Sequence, residues 1–111
     1  MTKEKIMEIV KAYVDDAYQI YGDLLKSVIL FGSCARGDFD DESDIDLMVL
    51  LDVPPGQIPS ERRKMRKTAD RLDLKYDCVI SATFQSYREF DYYREASAFY
   101  ANVVKEGLKV G

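Results

Sequence analysis

The sequence contains no histidine, and only two cysteines, three prolines and six glycines are spread over its 111 residues. Without histidine there is no Ser-His-Asp or Cys-His nucleophilic site, no imidazole general base and no histidine-ligated zinc. Cys34 and Cys78 are too few for a four-cysteine zinc site or a disulfide scaffold, so a reducing cytoplasm is the expected compartment. No apolar run approaches the roughly 18 residues of a membrane span. The opening Met1-Thr-Lys-Glu-Lys leads into an amphipathic pattern that includes acids, unlike a signal peptide. A second domain would leave each half near the lower limit for a self-sufficient core, so residues 1–111 are expected to form one domain. Catalysis, if there is any, must rest on 20 carboxylates, 16 basic groups, hydroxyls, the backbone and bound metal.

Charge is unevenly placed. The net value is −4, which disfavours a general nucleic-acid or anionic-membrane binder. Asp38, Asp40, Asp41, Glu42, Asp44 and Asp46 fall within nine residues without a base. Arg62, Arg63, Lys64, Arg66, Lys67 and Arg71 follow, opposed only by Asp70. For this basic block a solvated face is the first reading, a docking surface for an acidic partner the second, and RNA contact the last.

Hydrophobic spacing orders the elements. Ile6, Ile9, Val10, Tyr13, Val14, Ala17, Ile20 and Tyr21 follow helical spacing, with Thr2 as N-cap and Gly22 as stop. Ser27–Phe31 and Ile45–Leu51 read as buried strands. Residues 32–44 between them read as loop or one short helical turn. After a loop around Pro54, Pro55, Gly56 and Pro59, a helix is expected from Ser60 to Leu74, with Met65, Ala69 and Leu72 inward. Tyr76–Ser81 is read as a third strand. A final helical region over 84–106 puts Tyr93, Ala96, Tyr100 and Val103 on one stripe, closed by Gly107. The aromatic residues of that region are read as packing. The class is α/β (α+β): a small mixed sheet flanked by helices.

Side chains alternate along a strand, so Asp44, Asp46, Met48 and Leu50 share one face. A carboxylate inside an apolar strand, two residues after another on the same side, needs a compensating cation. Asp77 sits in the expected third strand, and if that strand neighbours the second, three carboxylates converge. Such a group suits hard divalent ions, above all Mg²⁺. Upstream, Gly32 and Ser33 stand at the exit of the first strand, where a glycine lets backbone N–H groups approach a phosphate and a serine adds a donor. A phosphate cradle with metal-binding carboxylates is what two-metal phosphoryl chemistry requires.

Gly32-Ser33-Cys34-Ala35-Arg36-Gly37, followed by Ser43-Asp44-Ile45-Asp46-Leu47, resembles the signature of the DNA polymerase β-like nucleotidyltransferase superfamily, in the form of its minimal nucleotidyltransferase (MntA-type antitoxin) branch. The resemblance covers about residues 25–80. It implies transfer of a nucleoside monophosphate, AMP from ATP being favoured, to a hydroxyl, with two Mg²⁺ ions and release of pyrophosphate. It maps Gly32 and Ser33 to triphosphate binding, and Asp44 and Asp46 to metal binding and catalysis. The third carboxylate maps to Asp77, which in the family helps to activate the acceptor hydroxyl. Arg36 fits the motif as a phosphate contact, and Cys34 falls at a variable position.

The same resemblance implies a protein partner. Small members of the branch pair with a HEPN-type ribonuclease toxin and, as antitoxins, add AMP to one of its tyrosines. A non-catalytic antitoxin that masks its partner by contact is the alternative reading. A small-molecule acceptor such as an aminoglycoside is another, disfavoured because the chain has no room for the added helical domain of those relatives. Base choice and oligomeric state are not specified by any motif, and a homo-oligomer is compatible with the sequence.

Overall fold

A computed structural model describes all residues 1–111. Helix α1 spans Lys3–Tyr21. Thr2 caps it, its hydroxyl accepting from the Lys5 N–H at 3.1 Å. Gly22, at φ 56°, ends it in a conformation that favours glycine. Ile6, Ile9, Val10, Tyr13, Val14, Ala17 and Tyr21 form its buried stripe. Ile20, expected on that stripe, is 40% exposed.

The sheet has four strands, β1 (Leu25–Phe31), β2 (Ile45–Leu51), β3 (Ile80–Ser86) and β4 (Leu108–Lys109), in the order β3-β2-β1-β4. β1 pairs antiparallel with both β2 and β4, whereas β2 and β3 run parallel. The expected mixed sheet flanked by helices is therefore present. Ile45, Leu47, Val49 and Leu51 face α1 and α4 in the main core. Met48 and Leu50 face the other way, under Phe90 and Val103. Coverage on both faces explains the near-continuous apolar content of β2.

Three expectations need correction. The helix expected over Ser60–Leu74 is two helices, α3 (Ile58–Arg63) and α4 (Arg66–Tyr76); α2 is the short turn Ser33–Arg36. The break lies at Lys64 and Met65, whose amides bond three residues back and tighten the turn, so that Met65 is buried. α4 leans on α1 through Asp16, which accepts from Thr68 at 3.0 Å and from Arg71 at 2.6 Å.

The expected strand Tyr76–Ser81 starts four residues late. Leu72 is buried and anchors the end of α4, so helix runs through Tyr76, and Asp77 closes it in the left-handed conformation (φ 51°). Cys78 and Val79, of β-rich composition, are consumed in leaving the helix. β3 then takes Ile80–Ser86, including residues expected to be helical. The rest of the last region divides into α5 (Tyr87–Tyr93) and α6 (Ala98–Glu106), the second capped by Ser97, whose hydroxyl accepts from the Tyr100 N–H. Phe90 and Val103 are its buried anchors, whereas Tyr93 is 49% exposed, and Gly107 leads into β4 rather than ending the fold. No helix is long and apolar enough to cross a membrane.

Leu47 is fully buried at the centre of the main core. Leu47→Ala is expected to lower the unfolding free energy by about 2–5 kcal/mol, read from the urea midpoint at unchanged slope.

Candidate active site

The two halves of the sequence signature meet at one point. Phe31 pairs with Asp46 across β1 and β2, so Gly32, the next residue, leaves the sheet beside the Asp46 carboxylate. Gly32 has φ 73°, and a Cβ placed on it would lie 2.3 Å from Asp46 Oδ2. Only glycine fits here, both for its backbone angle and for the space the carboxylate fills. The chain then makes the single turn α2, held by Ala35 and Arg36 amides bonding to the Gly32 carbonyl at 3.1 Å. Ser33 opens that turn. Cys34 is buried beneath it and donates its thiol to the Asp44 carbonyl at 3.4 Å. A position the sequence leaves without a role therefore ties the glycine-serine turn to the first carboxylate.

Asp44 is exposed just before β2, and Asp46, two residues on, is half-buried within it. No side chain of the protein forms a hydrogen bond or ion pair with either carboxylate. Burial, and then the charge of Asp44, raise the Asp46 pKa, and Arg36 partly offsets them. Arg36 itself is held by Asp38 at 3.2 Å and Glu106 at 3.3 Å, so it contributes long-range charge and no direct contact. An uncompensated pair of oxygen ligands fits a hard divalent cation. Mg²⁺ commonly takes one or two protein carboxylates and completes its shell with water and substrate phosphates.

Asp77 reaches the site from the end of α4 and not from the strand that the sequence predicts. It lies outside β3, at the αL end of α4, exposed, and lines with Asp44 a cavity of about 130 Å³. No group of three or more acidic or cysteine side chains in the chain is spaced to hold a metal ion. The position level with Asp46 on β3 belongs to Ser81.

One carboxylate near the site escapes the sequence reading. Asp73 is half-buried on α4 and accepts the Ile80 N–H at 2.9 Å, fixing the entry of β3. Burial raises its pKa, and the charges of Asp70 and Asp44 add to that. The available signal is its spacing, four residues after Ala69 on the inward stripe of α4. The neighbouring Cys78 thiol is pushed up to about 11 by burial and by Asp73.

On the far side of Gly32, a cleft of about 240 Å³ opens between α2 and α6, walled by Phe31, Phe99, Asn102 and Glu106. The site is thus a glycine-serine turn, two unpaired carboxylates and an open cleft at one end of the sheet.

Because the Asp46 pKa is raised on folding, the folded chain holds that proton more tightly than the unfolded one. Its ionisation then costs stability as the pH rises through the folded value. Asp46→Asn is accordingly expected to leave the Tm at neutral pH unchanged or higher. Gly32→Ala is expected to lower stability by about 1–3 kcal/mol, the range for a strained backbone position, with thermal unfolding as the measure of both.

The Nucleotidyltransferase domain family model matches residues 5–106. A Methanocaldococcus jannaschii protein named "Putative protein adenylyltransferase" is 36% identical over 107 residues, which span 96% of each chain. Among solved structures, one described as a "putative nucleotidyltransferase from Sulfolobus solfataricus" superposes with a TM-score of 0.65 at 21% identity, covering 96% of this chain and 80% of that one. Another, described as a "toxin-antitoxin with AMP-PNP", gives a TM-score of 0.58 at 18% identity, covering 91% and 72%. The match along nearly the whole chain agrees with the coupled Gly32-Ser33 and Asp44-Asp46 geometry, and the chain belongs to the nucleotidyltransferase domain family.

Proposed function

We propose that the chain transfers AMP from ATP to a hydroxyl of a partner protein. The observation that carries the chemistry is the pair Asp44 and Asp46, unpaired, with Asp46 packed against Gly32. The curated relative named for protein adenylyl transfer supports the acceptor class. The toxin–antitoxin neighbour supports a role as antitoxin. A tyrosine of a HEPN-type toxin is the acceptor that the sequence resemblance favours.

In this reading Gly32 and the amides opening α2 receive the triphosphate, Ser33 adding a hydroxyl donor. The first amides of a helical turn lack intrahelical acceptors, so they are free to donate to phosphate oxygens. Asp44 and Asp46 hold Mg²⁺, which when bound neutralises the triphosphate and favours the deprotonated acceptor hydroxyl. The acceptor oxygen forms a bond to the α-phosphorus. The bond from that phosphorus to the bridging oxygen breaks, and pyrophosphate leaves with the electron pair. Asp77, which lines a cavity with Asp44, takes the proton of the acceptor hydroxyl in this reading. Arg36 attracts the triphosphate through its charge, at a distance. The open end of the sheet leaves room for an acceptor presented by another molecule.

Co-expression with the product of the adjacent gene, followed by mass spectrometry after ATP and Mg²⁺ are added, tests the reading. An added AMP on that partner is the expected result. Asp44→Asn is expected to cut transfer by roughly two to three orders of magnitude while circular dichroism stays unchanged. Full labelling by the Asp44→Asn/Asp46→Asn double variant would contradict the assignment. Asp77→Asn tests the proton acceptor separately, with a smaller loss of about tenfold to a hundredfold expected.

A further inference from the structure

A cavity of about 400 Å³ lies away from the Asp46 side of the sheet. It opens beside β3, which is an edge strand. Its floor is apolar, made by Met65, Ala69, Ala82 and Phe84, and its rim carries Arg62, Arg63 and Arg66. Lys64 and Arg71 of the basic block are used internally, against Glu61 and Asp16. Arg62, Arg63, Arg66 and the neighbouring Lys67 have no acidic partner within ion-pair distance, and all four are exposed. Asp70 and Asp73 mark the end of the groove. Asp73 is already engaged by the Ile80 N–H.

The backbone of β3 supplies an independent observation. Val79 gives its carbonyl to the Ile45 N–H at 2.8 Å. Alternation along a strand then turns the N–H and C=O groups of Ser81, Thr83 and Gln85 toward β2. Those of Ala82 and Phe84 point outward, beside the groove. No strand pairs with that side, and β3 runs through seven consecutive register pairs without a bulge. It contains no proline and no charged side chain, the usual protections of an exposed edge.

We propose that an acidic, extended segment of the protein acceptor adds to the outer edge of β3, its backbone pairing with Ala82 and Phe84 and its carboxylates meeting Arg62, Arg63 and Arg66. The occupant follows from the pairing of the two features. Free strand N–H and C=O groups match a polypeptide, and the unpaired guanidinium groups select acidic side chains. A nucleic-acid backbone offers no match to the strand ladder, and the net charge of −4 opposes it. β3 begins at Ile80, level with Ile45 and one residue from Asp46, so one end of a strand added there lies at the end of the sheet that carries Asp46, two strand spacings from β2. This docking mode rests on the reading that the acceptor is a protein.

The test uses the full chain without ATP or metal, so its failure is separable from failure of the transfer chemistry. The probes are three fluorescein-labelled oligomers: an eight-residue peptide alternating Glu and Val, its Lys-Val counterpart, and oligouridylate. The Glu-Val peptide is expected to bind, to slow hydrogen exchange at the Ala82 and Phe84 amides, and to leave Ser81 and Thr83 unchanged. Arg62→Glu/Arg66→Glu is expected to weaken that binding at least tenfold. Ala82→Pro removes one outward N–H and is expected to weaken it as well. If that variant does not fold, the exchange pattern of the unaltered chain decides. Absence of Glu-Val binding, equal binding of the Lys-Val peptide, no effect of charge reversal, or no protection at Ala82 and Phe84 would each overturn the proposal. Binding of oligouridylate in place of the peptide would overturn it in favour of RNA.

Discussion

The contact between the Gly32 backbone and the Asp46 carboxylate is the constraint around which the molecule is organised. It exists because β1 and β2 are antiparallel and in a register that sets Phe31 opposite Asp46. That register depends on the apolar core, where Val28, Leu30, Leu47 and Val49 are buried against α1. A slip of one residue would move Asp46 into the core and an apolar side chain to the site, so core packing and site geometry are selected together. The fixed spacing between the glycine-serine turn and the acidic pair is the chain's record of that contact.

Electrostatics gives the site its direction. The protein places a half-buried carboxylate beside an exposed one and offers neither an ion-pair partner. An arrangement that costs folding free energy persists where function depends on it. In the proposed function a bound cation balances this negative charge. A site of two carboxylates without histidine fits hard cations carrying phosphate ligands, and it is the basis of the transfer chemistry proposed for this histidine-free chain.

Much of this was legible in the sequence, for identifiable reasons. α1 was legible because seven buried side chains keep one helical stripe and both ends carry capping signals. β2 was legible because its apolar run is long and interrupted by a carboxylate of consistent parity. The start of β3 is not legible because Tyr76-Asp77-Cys78-Val79-Ile80 has strand composition, while the buried Leu72 holds helix through Tyr76 and the αL residue Asp77 ends it. That four-residue delay also leaves Asp77 outside the strand, at the αL end of α4. Asp73 and the groove beside β3 were not legible, since both depend on how α4 packs on α1 and on which strand lies at the edge. The split between α5 and α6 depends likewise on Phe90 and Val103 reaching one small cluster from two directions.

The central claim is that Asp44 and Asp46 bind a divalent cation together with the nucleotide. Calorimetric titration of a non-hydrolysable ATP analogue with and without Mg²⁺ tests it most directly. Mg²⁺ is expected to tighten nucleotide binding to the native chain and to lose that effect in Asp46→Asn. Nucleotide binding of equal strength with and without Mg²⁺ in the native chain would contradict it.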